Sequence, residues 1–347
     1  MAKNINPNGI TYIKEYDILS YCWRYKLLGK DLRTVDGKII EVVDTGLLNR
    51  NFGADYFNAK IRIDHRLFVG NVVVLQDAGQ WYREGLAKDD GFNNVILVVC
   101  QREGQAIVNA AGEEIPTLLA DVPQYIRYNY QRLLSDKGCS LCKCHIRENV
   151  PHLTVHAWTA ALSTEYLDER QKMFEEKASK TGWENALCSE IGMGGNISKT
   201  ISGKLMKAVL SAESVADVRK AVEEYLAATN QRHGKNTVEE FVITVVCPWM
   251  FAYGSMKSQA RLCDKAFELM EYTFAIRPAE TKAWQEAGVE HNNGFDWAAV
   301  RHLEKQYCNK KRCLHCRFGY EFLKKNQALS EKQGQRKEPL QLSFCFC

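Results

Sequence analysis

The feature that most constrains the fold lies between Gly46 and Trp81. There a loop rich in glycine and asparagine carries Asp55 and leads into two strand-like runs. Ala59 to Ile63 reads as the first strand, Asp64 to Arg66 as a turn, and Leu67 to Gln76 as the second strand. Val69, Val72, Val73, Val74 and Leu75 are residues that a buried, central strand prefers. A carboxylate at the mouth of a sheet, followed by such a strand, is a common scaffold for metal-dependent phosphodiester chemistry. That chemistry needs two or more acids, because Mg²⁺ takes hard oxygen ligands and brings the attacking water. Asp55 supplies one acid. Where the second should stand, on the next strand, the chain has Val73 and Leu75.

The flanking sequence extends the sheet and then turns helical. Tyr16 to Leu28 is an aromatic-rich amphipathic helix, with Ile18, Cys22, Tyr25 and Trp23 directed at the sheet. Leu32 to Val43 forms a hairpin turning at Asp36-Gly37. Trp81 to Asn94 is polar and broken by glycine, and reads as a surface loop. Val95 to Gln101 is apolar throughout and of strand length, hence central. A helix runs over 121–136, with Asp121 as cap, Pro123 in the first turn, and Ile126, Tyr130, Leu133 and Leu134 on one face. Beyond it, helical patterns fall at 153–177, 214–229, 238–253, 258–274 and 296–307. In the fourth, Leu262, Ala266, Leu269, Met270 and Thr273 make the buried stripe. Ser214 and Asp217 have capping-box spacing. The expectation is an α+β fold: a mixed-sheet domain over 1–138, an all-helical domain over 139–325, and a disordered tail over 326–347. GMGGN around Met193 is a flexible loop without the lysine or spacing of a phosphate-binding loop.

The chain has thirteen cysteines, nine of them between 139 and 325. Cys139-x2-Cys142-x-Cys144 precedes His145, and Cys308-x4-Cys313-x2-Cys316 encloses His315. Cys-x2-Cys spacing lets two thiolates reach one metal from a single turn. Neither cluster completes a zinc-finger spacing alone, but Cys142 with Cys308, Cys313 and Cys316 would make a joint zinc or iron–sulfur site, the alternative being reduced structural thiols. Cys22, Cys100, Cys188, Cys247 and Cys263 fall on apolar patterns and read as core. His152 and His156 share a helix face, but Leu153 stands where a zinc protease has its glutamate, so they read as an exposed pair. No run is long and apolar enough to span a bilayer, and MAKNINPNG lacks the core of a secretory signal, so a cytoplasmic protein without a membrane partner is expected. The net charge of +4 is too small to argue for nucleic acid, yet eleven Lys/Arg against four Glu fall between Arg301 and Glu338. Within that stretch Lys310, Lys311, Arg312 and Arg317 are the candidates for a phosphate-backbone contact; a solvated face is the plainer reading.

The segments IIEVVDTGLLNRNFGADYFNAKIRI, LFVGNVVV, NNVILVV, FVITVVCPWMFAYG and QYCNKKRCLHCRFG together resemble a bacterial family of uncharacterised proteins, domain of unknown function 2851. The resemblance covers most of 16–150 and 237–325 and is weak near 180–236; its Cys-x4-Cys-Leu-x-Cys signature is the most specific part. The family pattern is similar to the core of PD-(D/E)xK nucleases. It would place the aspartate at Asp55, the strand acid at Val73, and histidines at Leu75 and Val98, with Ala54 where a proline stands. Asn49, Gly53, Asp55, Asn58, Gly70, Asn71, Trp81 and Asn94 match. The resemblance also implies a one-plus-three cysteine layout like that of some iron–sulfur nucleases, although the spacing within the trio differs.

The resemblance implies a restriction-endonuclease-like core with a degenerate site. The expected function is non-enzymatic, namely binding of nucleic acid or of a protein partner, and Mg²⁺ is not expected. Two alternatives stand beside it. One is an active metal-dependent nuclease whose second acid has migrated to Glu41, Asp44, Asp64 or Asp77. The other is a scaffold protein stapled by a metal.

Overall fold

The computed structural model describes residues 15–49, 51–189, 199–228, 235–273 and 278–325. The expected tail from 326 and the GMGGN loop lie outside them. The chain forms two compact units. One is built on residues up to Leu134 together with the segment from Phe322; the other is built on Ser135–Glu321.

The first unit is a mixed sheet with helices. Its strands are β1 (Leu32–Arg33), β2 (Ile39–Asp44), β3 (Leu47–Leu48), β4 (Tyr56–Ile63), β5 (Arg66–Asp77), β6 (Val95–Arg102) and β7 (Thr117–Leu119). The path is β1-β2-β4-β5-β6-β7, and β3 pairs with β4 off the path. The first hairpin turns at Asp36-Gly37 as the sequence predicts, with Gly37 donating to the Thr34 carbonyl at 2.9 Å. The β4–β5 hairpin turns through Asp64 and His65, both left-handed at φ 43° and 72°, the combination whose twist matches that of the flanking strands. β5 and β6 pair in parallel, as do β6 and β7. At Gly70 an added Cβ would come within 2.5 Å of Ile96 Cγ2 and 2.7 Å of the Asn94 carbonyl, so only glycine lets β5 approach the start of β6. Thr34 bridges to Leu118, and the Val35 N–H donates to the Thr117 carbonyl at 2.8 Å. The two ends of the path therefore meet, and the sheet nearly closes into a barrel.

Two expectations are corrected here. Helix α1 (Glu15–Arg24) buries Leu19, Cys22 and Trp23, while Ile18 and Tyr25 are only half-buried. The segment after Trp81 is not simply a surface loop. It forms α2 (Gln80–Arg83) and two 3₁₀ turns, Leu86–Lys88 and Asp90–Phe92. Trp81 is fully buried and meets Phe92 edge-on at 5.8 Å between ring centroids. Two large aromatics outweigh a polar average, because each buries far more apolar area than its neighbours expose. Helix α3 (Gln124–Ser135) follows, and its Asn129 side chain donates to the Phe322, Leu323 and Lys325 carbonyls at 3.5, 3.4 and 2.9 Å.

The second unit is helical. It contains α4 (Ser140–Asn149), α5 (His152–Thr181), α6 (Trp183–Ser189), α7 (Lys199–Ser211), α8 (Val215–Ala228), α9 (Lys235–Phe241), α10 (Cys247–Met256), α11 (Ala260–Tyr272), α12 (Pro278–Glu286), α13 (Gly294–His302) and α14 (Arg317–Leu323), the last reaching into the first unit. Ser214 and Asp217 cap α8 reciprocally. The predicted stripe of α11 is buried in full. Between α9 and α10 the helix widens to a π-helical stretch, Val242–Val246, just before Pro248. Proline brings no N–H for the carbonyl four residues back and crowds it. That carbonyl, of Thr244, accepts from the Arg170 guanidinium instead. Trp249, Met250, Leu269 and Val246 lie at the centre of this unit's core.

Candidate functional site

Asp55 stands just before β4, in a loop held by Asn49. The Asn49 N–H donates to the Asp55 carbonyl at 2.7 Å, and its side-chain amide donates to the Phe52 and Ala54 carbonyls at 3.0 and 2.9 Å. β4 pairs with β5 only as far as Tyr56↔Val72, so beyond Val72 this edge of β5 has no strand beside it. The Asp55 carboxylate takes over, accepting the Val74 N–H at 2.8 Å. One step on, the Gln76 N–H donates to the Gln80 side chain at 3.0 Å. Burial is the largest cause that raises the Asp55 pKa from 3.8 to about 6; the Val74 N–H opposes it, and the charges of Glu84 and Asp17 add to it.

The other positions of the expected nuclease site are filled by hydrocarbon. Val73, Leu75 and Val98 are buried in one cluster with Ala54, Trp81, Phe92 and Ile107. Val73 and Val98 are direct partners across β5 and β6. The Trp81 indole N–H donates to the Val108 carbonyl at 2.8 Å, which fixes the ring in the face where a metal-binding side chain would project.

The four acids named as substitutes are engaged elsewhere. Glu41 pairs with Arg62 at 3.0 Å, Asp44 accepts the Gly46 N–H at 2.9 Å, and Asp64 accepts the Ile39 N–H at 3.0 Å. Asp77 pairs with Arg83 at 2.9 Å, a hydrogen bond that lowers its pKa. Sequence reasoning did not single out Asp17 and Glu84. Asp17 lies on the first helix and Glu84 in the segment read as loop, and nothing local ties either to Asp55. A cleft of about 280 Å³, lined in part by Asp36, Lys38, Glu103, Glu114 and Thr117, lies elsewhere on the first unit.

In the second unit the two cysteine groups meet. Cys139 precedes α4 and Cys142 lies in it; Cys308 ends a π-helical turn (Leu303–Cys308), Cys313 begins a 3₁₀ turn (Cys313–His315), and Cys316 precedes α14. Cys139 and Cys308 share a hydrogen bond, which leads the causes lowering the Cys139 pKa to about 7; Lys311 and Lys143 also lower it. Burial pushes Cys313 up to about 12 and Cys316 to about 11. Among the described residues no three His, Cys, Asp or Glu side chains already stand in a metal-holding group, and the described cysteines form no disulfide. Cys22, Cys100 and Cys247 are buried as expected, Cys263 is half-buried, and the Cys188 side chain lies outside the described residues. His152 and His156 are exposed, and His152 faces Glu290 at 3.1 Å.

The four basic candidates all have partners within the chain. Lys310 donates to Gln306, and Lys311 donates to the Asp136 carbonyl at 2.5 Å. Arg312 lies 5.6 Å over the Tyr307 ring, and Arg317 pairs with Glu321 at 3.1 Å. No helix among the described residues is long and apolar enough to cross a membrane.

Comparison with known proteins gives one relationship. The model of a family described as protein of unknown function (DUF2851) matches residues 16–227; the match includes the Asp55 loop and most of 180–236, where the resemblance was expected to be weak, and it does not extend over 237–325, where the resemblance and its cysteine signature were expected. No curated protein and no solved structure matches the chain.

Proposed function

The chain belongs to the DUF2851 family, and from that premise we propose that it is a catalytically silent, nuclease-like protein that acts by binding a protein partner at the Asp55 loop. The observation that carries this reading is the joint burial of Val73, Leu75 and Val98 against Trp81. A two-metal or one-metal hydrolytic site needs a second anionic oxygen on that strand, and valine or leucine cannot supply one. The loop around Asp55 supports binding in place of chemistry. Phe52 is 88% exposed and Leu47 72%, and Leu47 pairs with the partly exposed Phe57. Large apolar side chains grouped on a rim mark contact surfaces. Nucleic acid is less favoured, because Lys310, Lys311, Arg312 and Arg317 already have intramolecular partners.

The test is a cleavage assay on the full chain with single- and double-stranded DNA and with RNA, in Mg²⁺ and in Mn²⁺, followed by a gel-shift at low salt. No cleavage and no shift are expected. Divalent-dependent cleavage that Asp55→Ala abolishes would establish the active-nuclease alternative, with Asp17 or Glu84 as the second acid. A shift lost on charge reversal of Lys310 and Arg312 would replace the protein partner by nucleic acid.

A further inference from the structure

We propose that Cys139, Cys142, Cys313 and Cys316 form a tetrathiolate site for one Zn²⁺ ion in the helical unit. The site pairs two Cys-x2-Cys turns. One opens α4 and the other opens α14, and each presents two sulfurs from a single turn, as a closed tetrahedral zinc site requires. Cys142, Cys308 and Cys316 pack into one cluster, and Lys311, between Cys308 and Cys313, donates to the Asp136 carbonyl just before Cys139, so the two cysteine turns lie together. Cys308 interacts with Cys139, Cys142 and Cys316. We assign it outside the first four, as a thiol donor to Cys139.

The surroundings are built for thiolates. Cys316 receives the backbone N–H groups of Phe318 and Gly319. The buried Trp158 indole N–H is directed as a donor at the same sulfur, and its ring packs in the same cluster. An indole N–H can only donate, and a metal-bound thiolate would accept it, whereas a neutral thiol is a poor acceptor. At Gly319 an added Cβ would come within 2.1 Å of the Cys313 carbonyl, so α14 starts against the cysteine turn. Zinc with four thiolates carries a net charge of −2. Lys143 and Lys311 lie near Cys139 and anchor its turn through the Gly138 and Asp136 carbonyls, at 3.1 and 2.5 Å. Such a closed site has no open coordination position, so its role is to lock the start of α4 to the start of α14.

The experiment uses the full chain purified without chelator from zinc-supplemented cells, with metals measured by plasma mass spectrometry. About one zinc per chain is expected. Cys139→Ser, Cys142→Ser, Cys313→Ser and Cys316→Ser should each lower occupancy at least about tenfold, and Cys308→Ser should retain zinc. To separate metal loss from misfolding of a serine variant, the wild-type protein is also titrated with a mercurial, and zinc should be released over four thiol equivalents. Cobalt replacement should show the intense charge-transfer bands of a tetrahedral sulfur site. Zinc-free protein with freely reactive thiols, iron in place of zinc, a Cys139–Cys308 disulfide, or zinc lost from Cys308→Ser and kept in Cys139→Ser would each overturn the assignment.

Discussion

Replacing Asp55 by asparagine should stabilise the sheet unit at neutral pH. The Asp55 pKa rises from 3.8 to about 6 on folding, mainly through burial. Between roughly pH 4 and pH 6 the folded state therefore holds a proton that the unfolded state has released, and stability falls as pH rises through that window. At 1.36 kcal/mol per pKa unit, the ionised carboxylate costs about 3 kcal/mol above pH 7 relative to a neutral group. Asparagine is neutral and can still accept the Val74 N–H that Asp55 accepts at 2.8 Å. Hydrogen exchange of the β5 amides, read by mass spectrometry and corrected for intrinsic rates, should show opening made harder by about 1–3 kcal/mol in Asp55→Asn at pH 8. The gain should shrink to about half at pH 5 and approach zero near pH 4. An Asp55→Asn protein that opens more easily at pH 8, or a gain that does not change with pH, would refute the reasoning. The first result would mean that the carboxylate is ionised against a cation, as an active metal site requires, and the second that its charge is not what destabilises the sheet.

Val73→Glu should fail to restore cleavage and should destabilise the sheet unit by about 3 kcal/mol or more, because it drives an unpaired acid into the Trp81 cluster; urea unfolding alongside the nuclease assay checks both. Asn129→Ala removes the donor to three carbonyls of the 322–325 segment and should cost about 1–2 kcal/mol, with faster amide exchange in that segment. His302 is buried beside Glu165 and Glu169; burial lowers its pKa and the glutamates oppose this. Its folded pKa lies below that of the unfolded chain, so stability should be lost as pH falls below about 6.5, and His302→Gln should flatten that loss in unfolding curves between pH 7 and pH 5. Glu239, buried against the Arg219 guanidinium, should cost about 1–3 kcal/mol when changed to alanine, read by thermal unfolding.

What could be read from the sequence was what depends on local spacing. The strand-like runs on either side of Asp64, the Asp36-Gly37 hairpin and the α11 stripe each place their own neighbours, and the structure has all three. The closure of the sheet was not legible, because the Thr34–Leu118 bridge joins residues far apart through strands of two and three residues, too short to carry a pattern. Trp81 and Phe92 were hidden for a related reason. A single buried aromatic inside a polar segment leaves no periodicity, and only the cluster it joins reveals its direction.

The same distinction governs the two candidate sites. Cys139-x2-Cys142 and Cys313-x2-Cys316 are each visible as a local spacing, but which thiols face one another is a tertiary fact. It brings Cys139 into the group alongside the four thiols expected from spacing alone. For Asp55 the lesson runs the other way. A lone acid before a central strand looks like the remnant of a catalytic pair, yet β4 leaves the edge of β5 at Val72, and the next inward N–H, at Val74, would be orphaned without that carboxylate. An unsatisfied buried N–H costs about 1–3 kcal/mol, enough to hold an acceptor at position 55 with no chemistry at all. The presence of Asp55 therefore has a structural cause, and a second acid at Val73, Leu75 or Val98 would have room only in place of the core.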